Sequence, residues 1–349
     1  MAETQSFPLL CLENPLLDIQ GVGDQAMLDK YGMKPNDTIL AEEKHMGIYE
    51  DLLSNRNAKL IAGGAAQNTA RGAQYMLPPN SVWYVGCVGE DEYAQTLREA
   101  CKKEGVHTEY MVVTHQPTGK CGVVINEHNR SMCTHLAAAN EYKLDHLKSE
   151  KIWSMVEKTE VFYVGGYHLT VCVPAIMALA EEALAKNKPF LLGMGAAFIP
   201  QFFKDQLAQV MPYCDYVFGN EDEAEVWAKS QGKDTKDLKE IAKMMCEVPK
   251  KNKHRPRTVV ITHGTQPTIT ARMNTDMVVE FNEFPVHAIS DEEINDTNGA
   301  GDAFAGGFTA GVVQGKSLED CVHMAQWLAR LSLKELGPSY PFPKQTYQG

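Results

Sequence analysis

Short apolar runs alternate with longer segments of helical periodicity along most of this chain. The runs that predict strands cover residues 7–12, 82–88, 122–125, 161–164, 190–194, 216–218 and 258–262. The spacing of apolar positions predicts helices over residues 67–76, 93–104, 173–186, 221–230, 237–246, 302–313 and 317–336. Nearly continuous apolar strands are typical of a parallel sheet that helices cover on both faces. The pattern therefore predicts an α/β fold with a mostly parallel central sheet.

Two regions interrupt this alternation. Residues 21–60 and 116–140 show short alternating strands, turn residues and little helix for their length. We assign residues 19–63 and 116–140 to a small β-rich lid that lies against the parallel sheet. The large α/β domain then comprises residues 1–18, 64–115 and 141–349.

The stretch from residue 161 to residue 180 contains no Asp, Glu, Lys or Arg. Its glycine pair at 165 and 166, His168 and the mid-span Pro174 argue against a membrane helix. A buried strand, a turn and the start of a helix explain the stretch better, so we expect no membrane association.

Composition narrows the class of protein further. The 349 residues include 33 Lys and Arg against 45 Asp and Glu, for a formal charge of −12. The one basic cluster, at residues 243–257, has no aromatic residues among its charges, so we expect no nucleic-acid partner. Nine cysteines without a C-x-x-C pair, and an N-terminus without a secretory pattern, predict the cytoplasm and leave the nucleus open.

The clearest chemical motif is D-T-N-G-A-G-D at residues 296–302, which leads directly into an apolar helix. Free amides at a helix start bind anions, and Gly299 and Gly301 let the backbone approach phosphate oxygens closely. Asp302 could accept a proton from a hydroxyl that attacks the bound phosphorus. It could equally well cap the helix, and the spacing leaves both roles open.

This motif resembles the C-terminal signature of the ribokinase-like (PfkB) carbohydrate and nucleoside kinases. The segment G-G-A-A-Q-N at residues 63–68 resembles the diglycine signature of that family, and N-E-D-E at 220–223 matches its Asn-x-x-Glu element. Within the family, the segments at 14–18, 117–119, 129–131 and 136–140 are similar to adenosine kinases. The ending G-P-S-Y-P at 337–341 is similar to their fungal branch.

The resemblance implies a ribokinase-like three-layer α/β/α sandwich with a β-rich lid. It implies transfer of the ATP γ-phosphate to the 5′-hydroxyl of adenosine, which yields AMP for purine salvage. Mg²⁺ is the implied cofactor, activation by K⁺ stays open, and a monomer is expected.

The residues that the resemblance places in catalysis are Asp302, Gly299, Ala300, Gly301 and Arg130. Asp302 would act as the base, and the amides of the glycine loop would hold the γ-phosphate. Arg130 would meet the transferred group when the lid closes, because a guanidinium spreads its charge over several phosphate oxygens. An arginine in a polar loop is otherwise an ordinary surface charge.

At the nucleoside the resemblance places Asn14, Leu16, Asp18, Gly63, Gly64, Asn68, Leu136, Tyr167, His168 and Phe198. Asp18 and Asn68 would hold ribose hydroxyls, the two glycines would form the lid hinge, and the apolar and aromatic residues would surround adenine. Without the resemblance, an Asp after a strand is as common in a turn, and apolar side chains are more common in a core.

The implied ATP site contains Asn220, Thr262, Gly264 and Asn298. Asn220 and Glu223 would also organise Mg²⁺ through water molecules. Asn220 also fits the N-cap of the following helix, with acidic residues in its first turn, and the two roles are compatible.

The sequence departs from the family pattern in the loop G-M-G-A-A-F at 193–198, where Asn-x-Ser-Ala-Pro-Phe is usual, and at Glu13 and His135. Two other readings therefore stay open: another ribokinase-like nucleoside or sugar kinase, and a catalytically weak nucleoside-binding protein. A dinucleotide oxidoreductase would rest only on the weak G-x-G-x-x-A match at 21–26.

Overall fold

The computed structural model describes residues 7–126, 129–274 and 276–349. Its strands are β1 (Leu9–Leu12), β2 (Leu16–Val22), β3 (Thr38–Leu40), β4 (Lys59–Gly63), β5 (Val82–Val85), β6 (Cys87–Gly89), β7 (His107–Thr108), β8 (Met111–Val113), β9 (Lys120–Asn126), β10 (Asn129–His135), β11 (Val161–Gly165), β12 (Phe190–Gly193), β13 (Tyr216–Asn220), β14 (Thr258–His263), β15 (Gln266–Met273) and β16 (Val279–Phe284).

Its α-helices are α1 (Gln25–Lys30), α2 (Ile48–Asn55), α3 (Ala65–Met76), α4 (Glu92–Glu104), α5 (Leu144–Lys148), α6 (Glu150–Lys158), α7 (Val173–Lys186), α8 (Phe198–Phe202), α9 (Lys204–Val210), α10 (Glu221–Ser230), α11 (Leu238–Glu247), α12 (Ala300–Val313) and α13 (Leu318–Leu333). Among the short 3₁₀ helices, the one at Gly166–Thr170 matters for the site.

The central sheet has the order β16-β15-β14-β13-β12-β11-β1-β5-β7. All pairs from β14 to β7 are parallel, and β15 and β16 add an antiparallel edge. Alternate β1 side chains enter two different cores, Leu9 on the side of α3, α12 and α13, and Leu10 on the side of α6, α7, α10 and α11. The predicted α/β sandwich is therefore confirmed.

A second sheet, of order β3-β10-β9-β2-β4, combines strands that are far apart in sequence. Helices α1 and α2 cover one of its faces, where Leu28, Ile48 and Leu52 pack with Ile19 and Val124. The expectation of little helix in residues 21–60 was wrong, because two short amphipathic helices are needed to keep this face of the sheet from water.

The uncharged stretch at 161–180 forms strand β11, the 3₁₀ turn and the first half of α7, with Pro174 in the first helical turn, as predicted. None of the helices among the described residues combines the length and apolar character that a bilayer span requires.

Candidate active site

A cavity of about 180 Å³ lies between the carboxyl ends of the central strands and the second sheet. Parallel α/β sheets bind ligands at this edge, because the strand ends and helix starts there leave backbone groups and side chains free for a ligand. The second sheet and the segments that follow it contribute Thr38, Ile39, Leu40, Cys121, Met132, Thr134 and Leu136. The strand ends and helix starts contribute Glu13, Asn14, Gly64, Ala65, Asn68, Tyr167, Gly195, Phe198, Gly299, Gly301 and Asp302.

Helix α12 presents its N-terminus to this cavity. Gly299 adopts a left-handed conformation with φ of +79°, and the first i→i−4 bond runs from the Ala303 amide to the Gly299 carbonyl at 2.8 Å. The amides of Gly301 and Asp302 precede that bond, so they are helix-end donors available to an anion. The predicted glycine loop thus lies at the cavity.

Asp302 lies in the first turn of α12 and is half-buried. Its Oδ2 accepts a hydrogen bond of 2.9 Å from Nδ2 of Asn68 on α3. Burial raises the pKa of Asp302 to about 7, and the Asn68 bond opposes part of that rise. A carboxylate with a pKa near neutrality, at the start of an anion-binding helix, is suited to general-base chemistry.

Asp18 lies within β2, opposite Ile61 of β4, and does not follow a strand as the sequence suggested. Its carboxylate is buried beside Gly63, where a Cβ would overlap the Asp18 side chain. Burial raises the pKa of Asp18 to about 7, Asp302 raises it further, and Asn298 opposes the rise. Two predicted site residues, Asp18 and Asp302, are therefore close enough to affect each other's charge.

Apolar and aromatic side chains form the opposite part of the cavity. Leu16, Leu136, Tyr167 and Phe198 line it, with the Tyr167 and Phe198 rings 5.9 Å apart. His168 was also predicted in this wall, but its side chain is fully buried behind the cavity. There Nδ1 lies 3.1 Å from Oδ1 of Asn14, and burial lowers the His168 pKa to about 3, so the neutral ring fixes Asn14 instead of lining the wall.

Arg130 lies on β10 and bonds to the first residue of the D-T-N-G-A-G-D motif. Its Nε is 3.0 Å from Oδ1 of Asp296, while Nε2 of Gln20 on β2 donates to Oδ2 at 2.6 Å. Burial alone would raise the Asp296 pKa, but hydrogen bonds from the Asn298 and Gly337 amides and from these two side chains lower it. Two strands of the second sheet are thus held to the glycine loop.

Of the predicted ATP residues, Asn298 lines the cavity, whereas Asn220, Thr262 and Gly264 lie at or just after the ends of two neighbouring strands. Asn220 of β13 is opposite Thr262 of β14, and Gly264 follows β14 with φ of +52°. Asn220 Oδ1 accepts the Glu223 amide at 2.8 Å, and Glu223 Oε2 accepts the Asn220 amide at 3.1 Å. This reciprocal pair is the predicted helix cap.

The Glu223 carboxylate is also suited to bind a divalent cation. Its carboxylate is buried, and burial raises its pKa to about 7, with further repulsion from Asp302. A Mg²⁺ ion would relieve this repulsion with the oxygen ligands it prefers, through Oε1, which the cap does not use. Because Asn220 Oδ1 is engaged in the cap, contact through water suits Asn220 better than direct ligation.

A family model described as the pfkB family carbohydrate kinase matches residues 25–345 of the chain. The chain belongs to this family. Adenosine kinase of Schizosaccharomyces pombe is 46% identical over 344 residues, which cover 98% of each chain. Adenosine kinase of Saccharomyces cerevisiae is 44% identical and covers 97% of this chain and 98% of its own.

Two solved structures of adenosine kinases have the same fold as this chain. Anopheles gambiae adenosine kinase, in complex with P1,P4-di(adenosine-5) tetraphosphate, has a TM-score of 0.91 and 41% identity, over 94% of this chain and 96% of its own. Schistosoma mansoni adenosine kinase in complex with 2-fluoroadenosine has a TM-score of 0.90 and 34% identity, over 96% and 97% of the two chains.

Several residues of the candidate active site were not predicted from the sequence. Gln20 and Asp296 were not assigned to the site, and Thr38 and Thr134 of the second sheet were not expected at the cavity. Glu13 was noted only as a departure from the family pattern, yet it lines the cavity and is 1% exposed. A carboxylate directly after an apolar strand was the one available signal for Glu13, since a buried charge needs partners.

Proposed function

We propose that this protein is an ATP-dependent kinase that transfers the γ-phosphate of ATP to the 5′-hydroxyl of adenosine, giving AMP and ADP. The observation that carries the proposal is Asp302 at the start of α12, bonded to Asn68 inside a cavity with polar and aromatic walls. Relatives named adenosine kinase, at 40–46% identity over nearly the whole chain, support the same substrate.

The acceptor, adenosine, binds in the cavity with its ribose against the polar side chains of Asp18 and Asn68. Asp18 and Asn68 hold the ribose hydroxyls, because a carboxylate accepts two neighbouring O–H donors and an amide can accept or donate. Adenine lies among Leu16, Leu136 and Phe198, with Tyr167 at one edge. This orientation directs the 5′-hydroxyl to Asp302, which takes its proton as the O–P bond forms.

The donor side uses the start of α12. The amides of Gly299, Gly301 and Asp302 bind the γ-phosphate. The Ala300 amide, which the resemblance also placed there, already donates to the Thr297 carbonyl at 3.3 Å. The helix dipole stabilises the negative charge that moves onto the phosphate oxygens. ATP extends from there along Asn298 to Asn220, Thr262 and Gly264. The leaving group is ADP, and Glu223 with Asn220 holds Mg²⁺, which neutralises phosphate charge when bound.

The second sheet with α1 and α2 is the lid in this proposal, and Gly63 and Gly64 are its hinge. Gly64 has φ of +91° and its Cβ position lies 2.5 Å from the Asn14 carbonyl, so a side chain there is excluded. Arg130 and Gln20 reach Asp296 from the lid, and closure in this way keeps water away from the phosphate.

We propose that the protein acts as a monomer.

The proposal is tested by Asp302→Asn, with Asp320→Asn as a matched control. Both residues occupy the third position of a helix, α12 and α13, but only Asp302 faces the cavity. We expect D302N to lower kcat at least ~100-fold with adenosine binding retained, because the base is lost, and D320N to keep normal turnover. Equal, small effects in both variants would contradict the role of Asp302 as the base. The structure gives no support to the alternative of a helix cap, because Gly299 is the N-cap of α12 and no side chain caps this helix.

A further inference from the structure

Glu13 is a buried carboxylate that the proposed reaction does not use. It follows β1, is 1% exposed, and its two oxygens accept backbone N–H groups from two different elements. Oε2 accepts from the Ala66 amide in the first turn of α3 at 2.8 Å, and Oε1 accepts from the Tyr167 amide in the 3₁₀ turn at 3.1 Å. One side chain thus joins the end of β1 to two walls of the cavity.

The surroundings of Glu13 are shaped to hold this carboxylate. A Cβ on Gly165, the last residue of β11, would overlap the Glu13 carboxylate, so the glycine leaves the necessary space. The two bonded elements both contribute to the cavity. Ala66 comes two residues before Asn68, the partner of Asp302, and Tyr167 packs against Phe198.

A gain in folding stability does not explain why a carboxylate is buried at this position. Burial raises the pKa of Glu13 to about 8, and Asp302 raises it further, although the two amide bonds oppose this. A carboxylate held this far from its ordinary range destabilises the fold when it ionises, and an uncharged side chain of the same size would serve packing as well.

We propose that Glu13 is a positioning residue: its carboxylate fixes the start of α3, with Asn68, against the turn that carries Tyr167. It acts through these residues and sets the width of the adenosine site. The inference rests on the proposed function, since it takes the cavity to be the adenosine site.

Glu13→Gln tests the role directly, because glutamine keeps the volume but has only one acceptor oxygen, so one of the two amide bonds is lost. We expect KM for adenosine to rise about tenfold and KM for ATP to stay within about twofold. An unchanged KM for adenosine in E13Q would overturn the proposal.

Asp215→Asn is the matched control. Asp215 is also 1% exposed and accepts a backbone amide, from Phe190 at 3.0 Å, but it precedes β13 at the opposite end of the sheet. It also pairs with Lys250 and Arg255. We expect D215N to lower Tm and leave KM for adenosine unchanged. A rise of KM in D215N equal to that in E13Q would reduce Glu13 to a structural role.

A second pair of variants tests the geometry. Gly165→Ala should displace the Glu13 carboxylate and raise KM for adenosine as E13Q does. Adding G165A to Glu13→Ala should change KM for adenosine little, because the shortened side chain no longer overlaps the new methyl group. Additive effects would contradict the contact. Asp18→Asn distinguishes failure of the proposed adenosine site from failure of the role proposed for Glu13. A normal KM for adenosine in D18N would refute the site itself. A raised KM in D18N together with a normal KM in E13Q would refute only the role of Glu13.

Discussion

Four carboxyls, those of Glu13, Asp18, Asp302 and Glu223, have pKa values raised to about 7 or 8, in each case mainly by burial. Acids of this kind cluster at functional sites, because a base works best when its pKa is near the working pH. The sequence predicted three of these side chains from motifs. It could not predict their pKa values, since these depend on burial by elements far away in the chain.

The same four carboxyls predict how stability depends on pH. In the unfolded chain they ionise near pH 4, but in the folded protein near pH 7 to 8, so the folded state binds more protons between these values. Stability therefore falls as pH rises through this window. The buried His168, whose pKa is lowered to about 3, opposes this trend only below about pH 6.5.

We expect Tm of the ligand-free protein to fall between about pH 6.5 and 8, with a shallower fall in D302N. Thermal unfolding across this range measures the effect. Glu109→Gln is the control, because hydrogen bonds with Lys151 and His107 hold the Glu109 pKa below its usual value despite burial. The slope of this variant should match that of the unmodified protein. A flat or rising Tm over this range would contradict the raised pKa values.

At the scale of elements, helices with a strong pattern were predicted closely. The bounds of α7 and α10 agree with the prediction at both ends, whereas α13 ends three residues before the predicted end. Strand β16 was missed, because an edge strand with exposed polar side chains has no apolar run. In the basic cluster at 243–257, Lys250 and Arg255 form ion pairs with the buried Asp215.

The start of α12 allows a matched prediction on two glycines. Alanine at Gly299 must adopt φ near +79° with its Cβ 2.5 Å from that of Pro338, whereas a Cβ at Gly301 meets no atom within 4 Å. We expect G299A to lower Tm by at least about 2 °C, since a left-handed alanine costs about 1 kcal/mol before any overlap.

G301A should keep Tm within about 1 °C but lower kcat/KM for ATP at least about tenfold, because its methyl group enters the space that phosphate would occupy. Thermal unfolding and steady-state kinetics of the two variants measure both effects. A stable G301A with normal ATP kinetics would contradict the phosphate site at the start of α12.

At the scale of the whole molecule, the cavity exists only because two sheets meet. Thr38, Cys121 and Thr134 reach it through pairing of β3, β9 and β10, which are separated by up to about a hundred residues, and no local pattern specifies such pairing. The three motifs, in contrast, each lead into a helix that packs on the central sheet, namely α3, α10 or α12. Their position at its carboxyl edge could therefore be predicted.

If the second sheet is a lid, adenosine should protect it as a unit from hydrogen exchange. We expect saturating adenosine to slow amide exchange in residues 16–63 and in the β9–β10 pair at least about tenfold. Exchange in β5 should not change, because closure removes local opening of the lid only. Exchange measured by mass spectrometry reports both segments. Equal slowing in β5 would indicate general stabilisation instead of closure.

The most direct test of the proposed function is ADP release with ATP and Mg²⁺, compared across adenosine, inosine, guanosine and ribose, with D302N as the control. Turnover with adenosine that far exceeds turnover with the other acceptors, and that is lost in D302N, is the predicted result. Faster turnover with ribose or another nucleoside would indicate a different kinase of the family. No turnover with any acceptor, while adenosine still binds, would contradict the account and leave a nucleoside-binding protein.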